Sequence, residues 1–409
     1  DQPARLLVAD QVAGALYVLD LPDGRISATL TGRHLAEHAG FLALPGGRWA
    51  FADDLAGEVV VLDPHGPEAG RPLVAATVPV ATPAEHLAAD PAGRRLAVTT
   101  GLGRSGEPWS DVLTAVDLEA PDGPRAVRVR TRVGEPGVTL SGGDDPLVVL
   151  RHREPGALAA YRHADLLDAG PSCPPAAPLA TVPLPDGDGH GDAYDPRTGL
   201  LFAAAGSGVH RARPAAGAPP AAQEPLSWEG PGRGYYLRLD PVRRLLWSCV
   251  RGGPADPARW PEWTNDAWFH HLDTGATGRR PLGPGLVFRL AVTRDHAAYT
   301  RVHPDGDELI LLSCPPSGLP EVTARMPLPP MDGAPRAGGT PWDGVQRRAV
   351  AGSPGAALTA VTRGGHGEIH LFDRAGELAT LTVPTPLDDG GHLALVTPGD
   401  GAEADPVGR

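Results

Sequence analysis

Apolar and polar residues alternate in short runs, and Pro, Gly and Asp clusters break the runs. Alternation of period two predicts strands, and the breaks predict tight turns. The runs come in groups. FLALPGG, RWAFADD and GEVVVLD form one group; HLAADPAG, RRLAVTT and DVLTAVD form the next. Later groups follow the same order, and each closes on a fourth apolar run such as LVAATVPV or LATLTVP. First strands are expected near Phe41, His86, Val138, Gly191, Tyr235, Phe288 and Val345. Their spacing of roughly 50 residues is that of a four-stranded propeller blade.

The two ends of the chain complete this pattern. Residues 5–31 supply three strands without a first strand, and residues 392–397 supply a first strand with nothing after it. Joined in one blade, they leave no open sheet edge. The expected fold class is therefore all-β, a β-propeller of about eight four-stranded blades, with seven as the alternative. It would occupy residues 1–409 as a single domain. The Pro/Ala-rich segment 211–224 and the segment 329–344 read as loops.

Composition narrows the function classes. High Gly (53) and Pro (47) suit many tight turns and argue against long helices. All 36 basic residues are Arg, and the net charge is −13. Without basic runs, such a chain is a poor nucleic-acid binder. Its acidic field favours cationic ligands. No run of about 18 apolar residues exists to predict a membrane span. The chain opens at Asp1 directly before strand-like RLLVAD, which reads as a mature, exported form (periplasmic or secreted) with its leader removed. Cys173, Cys249 and Cys314 are widely spaced and odd in number. They predict neither a zinc-thiolate site nor a disulfide framework, and one disulfide stays as open as three free thiols.

Candidate chemistry gathers where first strands begin. His38, His86, His190 and His392 stand at or close to the starts of four first strands. Such positions can aim imidazoles at one volume, and zinc needs only three or four convergent N or O donors. His34, Glu37, Glu85, Asp192 and Asp332 are the secondary candidates, with Asp188, Asp388 and Asp389 as further carboxylates. For any single histidine, the competing reading is a packing residue that bonds neighbouring loops. Two long loops between second and third strands carry Trp109, Trp260 and Trp263. These form either an aromatic rim over a pocket or a cover for the loops themselves. His270 and His271 share one strand and so point to opposite faces. No GxSxG elbow, HExxH pair or calcium loop is present.

Several segments resemble periplasmic zinc chaperones of the AztD type, within the wider class of YVTN-like propellers. They are GALAAYRHADLLD, then GHGDAYDP with GLLFAAAGSGV, then MDGAPRAGGTPWDGVQRRAVAGS followed by GEIHLFDRAGE. The resemblance implies zinc held by His and carboxylate ligands and passed to the solute-binding protein of a metal ABC importer. It implies a ligand role for His190. His38, His86 and His392 rest on their positions alone. The opening DQPARLLVAD holds no His, unlike the His-rich N-terminal segment of that family.

Three functions stay open on these residues. One is a zinc-binding chaperone acting as a monomer. Another is an enzyme whose metal keeps an open coordination position for a small organic substrate. The last is a metal-free interaction scaffold.

Overall fold

The computed structural model describes residues 4–101, 111–134, 136–185, 190–215, 218–315, 318–342, 346–387 and 390–397. It contains eight four-stranded antiparallel sheets, the blades of a β-propeller. Blades are numbered here from the N-terminus. The described residues divide into two compact units, one of residues 34–227 and the other of residues 4–33 with 228–397. Among the described residues, no helix is long and apolar enough to cross a membrane.

The unit 34–227 carries blades two to five. Their first strands are Phe41–Leu44, Ala84–Ala89, Gly137–Leu140 and Asp192–Asp195. The other unit carries blades six to eight, with first strands Arg233–Asp240, Leu286–Val292 and Val350–Gly352. It also carries blade one, in which the C-terminal strand His392–Val396 pairs with Arg5–Asp10 as the sequence pattern requires. The starts lie within a few residues of those expected. The last begins at Val350, whereas the expected start, Val345, lies outside the described residues; just before it, the Ala349 N–H bonds the Thr362 hydroxyl at 2.8 Å.

One loop expectation fails. Segment 211–224 falls in two paired strands, Gly208–Ala215 and Ala218–Leu226. The second of them is the outer edge of its sheet, where a Pro without an N–H costs no ladder bond.

Each blade is apolar on both faces, and within each unit adjacent blades share cores. Leu6, Val8 and Leu395 of blade one pack with Ile369 and Leu371 of blade eight. Trp247 and Phe269 of blade six meet Tyr299 and Ile310 of blade seven. Val59 and Val61 of blade two meet Leu96 and Val98 of blade three.

The Asp residues that end many runs have a structural task. Asp53, Asp195 and Asp240 are fully buried. Asp53 accepts the backbone N–H groups of Leu55 and Ala56 at 3.1 and 3.0 Å. Asp240 accepts those of Val242 and Arg243, both at 3.1 Å. These carboxylates hold turns closed and are spent as ligands.

One buried ion pair ties blade seven to the segment before blade eight. Arg348 Nε bonds Asp307 Oδ2 at 2.7 Å, and its Nη1 bonds the Thr362 carbonyl at 3.1 Å. Removing one partner strands the other charge. The variant Arg348→Met should therefore lose about 3–5 kcal/mol of unfolding free energy in urea. Adding Asp307→Leu should restore part of that loss. Equal stability of wild type and R348M would refute the assignment.

Acid should also destabilise the fold. Burial first, then the charges of Arg132 and Arg151, push the His152 imidazole down to about 4. Burial lowers His86, His163, His210 and His296 as well. An unfolded His takes its proton near pH ~6.5, before these do. The contribution of His152 is thus complete above that pH and is lost as pH falls toward about 4, and the other four lose theirs as pH falls below the unfolded value. For His152 the loss is roughly 3 kcal/mol. Urea titrations at pH 7 and pH 4.5 should show it, and His152→Gln should lose less over the same window.

Candidate functional site

The side chains of interest in the unit 34–227 stand at the starts of first strands. The segment 34–40 is tied to the end of blade two's second strand. Ala36 N–H bonds the Ala52 carbonyl at 2.8 Å, and Asp54 N–H bonds the His34 carbonyl at 2.9 Å. Asp54 in turn accepts the Ala84 N–H at 2.8 Å, which fixes the start of blade three's first strand. The ladder slips between Ala84 and His86, so Glu85 sits on a bulge. Bulges re-aim side chains.

That bulge brings two candidates into contact beside a third. His38 Nδ1 lies 3.2 Å from Glu85 Oε2, with His38 exposed and Glu85 buried. Burial resists ionisation of Glu85. The hydrogen bond from His38 and the charges of His38, His86 and Arg153 outweigh it, and they hold the carboxyl below its usual range. Next to it, His86 keeps a buried Nε2 without a hydrogen-bond partner. Burial lowers its pKa, opposed by Glu85 and Asp192, so the ring is neutral at pH 7. His34 Nδ1 is likewise buried without a partner, and its charge bears on Asp54, whose pKa burial raises. Gly101 borders the site, because a Cβ there would collide with Glu85.

The remaining candidates are engaged elsewhere. Asp192 Oδ1 accepts Arg151 Nε at 2.6 Å, and both side chains are almost fully buried. Gly137 leaves room for that pair; an added Cβ would strike both partners. His190 Nδ1 faces Arg153 Nη2 at 2.9 Å. Glu37 is half-buried on the segment that carries His38. Asp332 is exposed, 3.4 Å from His366 Nε2. His392 is buried at the start of the C-terminal strand and belongs to the other unit. Trp109, Asp188, Asp388 and Asp389 lie outside the described residues. Among the described residues, no three His, Cys, Asp or Glu side chains form a group that could hold a metal ion. The structure thus pairs His38 with Glu85 beside His86 without converging the three on one ion, and it places Asp192 and His190 against arginines.

Two further points correct or complete the sequence reading. Trp260 is fully buried and Trp263 nearly so, packed with Leu286, Val302 and Met331. Their indole N–H groups bond the Arg336 and Pro254 carbonyls at 3.2 and 2.9 Å. They cover their loop and do not rim an open pocket. Cys173, Cys249 and Cys314 are all free thiols, and burial pushes Cys249 up to about 12, which leaves it inert.

Sequence reasoning missed a group of arginines among aromatic rings in the other unit: Arg251, Arg289 and Arg347 with Tyr235, Phe288 and Trp342. The only cue was Arg beside first-strand starts, as in VFRL.

No family model and no curated protein matches this chain. Solved structures do match. Apo AztD from Citrobacter koseri is 12% identical over 96% of this chain and 98% of its own, with a TM-score of 0.65. The dihydro-heme d1 dehydrogenase NirN, in complex with DHE, is 16% identical over 95% and 76%, with a TM-score of 0.56. The periplasmic gluconolactonase PpgL of Pseudomonas aeruginosa is 18% identical over 96% and 99%, with a TM-score of 0.50. The AztD-type resemblance read in the sequence thus holds at the level of fold: this chain is a β-propeller built like AztD.

Proposed function

We propose that the protein binds zinc at the start of blade three and carries it as exchangeable cargo. The observation that supports this most is the buried, unpartnered Nε2 of His86 beside the Glu85–His38 pair. Imidazole and carboxylate are donors that zinc accepts, but the three side chains do not form a metal-holding group as they stand, so His38 and Glu85 would have to part and turn toward His86 to ligate the ion. The lowered pKa of His86 keeps its lone pair available at neutral pH.

The same geometry favours exchange over storage. His38 and Glu85 bond each other, so an arriving ion must displace that hydrogen bond. Arg153 adds a repelling charge close to Glu85, while Asp192 offsets Arg151. A site of this kind binds less tightly than a closed four-ligand shell. The likeness to AztD-type zinc chaperones supports the cargo role. In that reading the receiver is the solute-binding protein of a zinc ABC importer, and the protein works outside the cytoplasm.

Competition against a chromophoric chelator at pH 7.5 tests the site. About one zinc per chain is expected, with affinity about 10- to 100-fold weaker in Glu85→Gln and in His38→Ala. His38 is exposed, so its variant keeps the fold. Absence of zinc uptake, or unchanged affinity in both variants, overturns the proposal.

A further inference from the structure

Blades six to eight gather arginine and aromatic side chains that the zinc reading does not use. The first strands of blades six and seven each slip in register, between Tyr235 and Arg238 and between Val287 and Leu290. Tyr236 sits in the first slip with φ +60°, a conformation unusual for a bulky residue. Phe288 and Arg289 sit in the second. Strained, bulged backbone of this kind serves to re-aim side chains.

The re-aimed groups meet. Arg251 lies over the Tyr235 and Trp263 rings at 4.6 and 4.7 Å, and within 5.7 Å of Trp342. Arg347 lies 5.0 Å from the Phe288 ring and 5.8 Å from that of Trp342. Arg289 is 5.6 Å from Phe288. Tyr236 packs edge-on to Phe288 at 5.7 Å. Trp342 and Tyr236 remain 37% and 39% exposed, so a ligand can reach them.

Cation–π contact explains where these guanidinium groups lie, but not what balances them. Arg251 is only 9% exposed, and its Nε has no hydrogen-bond partner; the buried Nε of Arg347 has none either. Among the described residues, their terminal nitrogens bond backbone carbonyls, of Val287 at 2.9 Å and Trp342 at 3.2 Å. Among the described residues, no carboxylate pairs with Arg238, Arg251 or Arg347. Arg238 is crowded yet reached by solvent, and burial and the charge of Arg289 both lower its pKa. Among the described residues, Arg238, Arg251 and Arg347 thus have no carboxylate to balance them, on a chain of net charge −13.

The geometry assigns this cluster as a binding site for a small aromatic carboxylate. The carboxylate would take the guanidinium edges of Arg251 and Arg347, for which Arg is shaped, and the ring would lie against Trp342 and Phe288. The assignment is independent of zinc, because none of its residues belongs to the unit 34–227.

Calorimetric titration of the intact protein with 2-naphthoate tests it, with 2-naphthamide as the uncharged control. Saturable binding of one naphthoate is expected, at least about tenfold tighter than the amide and weaker at high salt. Arg347→Gln and Trp342→Ala should each weaken it by about tenfold or more. Both residues lie at least partly in solvent, and thermal unfolding checks that the variants fold. His38→Ala should leave it unchanged. No saturable binding, equal binding of the amide, or full affinity in folded R347Q overturns the assignment.

Discussion

No blade of this protein can bury its own apolar surface. A four-stranded sheet with both faces apolar needs neighbours to cover it, and within each unit the side chains of adjacent blades interlock to provide them. Every other feature follows from that demand. It requires many short strands of similar length, and turns that hold without side-chain bulk. It also requires a means of finishing the blade that the N-terminus leaves incomplete. The pairing of Leu6 with Leu395 and of Val8 with Leu393 finishes it.

The demand is strongest in the strand middles and weakest where first strands begin. In three first strands the ladder slips, at Glu85, at Tyr236 and at Phe288 with Arg289, which frees those side chains from the regular alternation. One unit uses this freedom for histidine and carboxylate, the other for arginine and aromatic rings. The acidic excess of the chain says little about either place. Much of it closes turns, as Asp53 and Asp240 do, or neutralises arginines, as Asp192 and Asp307 do.

Histidine illustrates how burial sorts chemically identical residues. His86 is neutral beside a carboxylate, which suits a metal ligand. His152 is neutral because burial and two arginines forbid its proton, which makes it a stability element. His190 faces a guanidinium. Spacing along the chain treats the candidate histidines alike, whereas their surroundings do not.

The fold was legible because it rests on a repeated local pattern. Alternation and turn residues recur in each blade, so a few misread positions, such as the strands within 211–224, change nothing global. The composite blade was legible for the same reason, as its missing strand had only one place to go. Site chemistry has no such redundancy. Whether Asp192 is a ligand or the partner of Arg151 depends on a residue 41 positions away. Whether Trp260 rims a pocket or fills a core depends on Leu286, Val302 and Met331. The sequence by itself determined the blades, since strand periodicity is a property of neighbours in the chain. Only the tertiary structure decided which polar groups are spent on each other and which are left for a ligand, since that is set by contacts between blades.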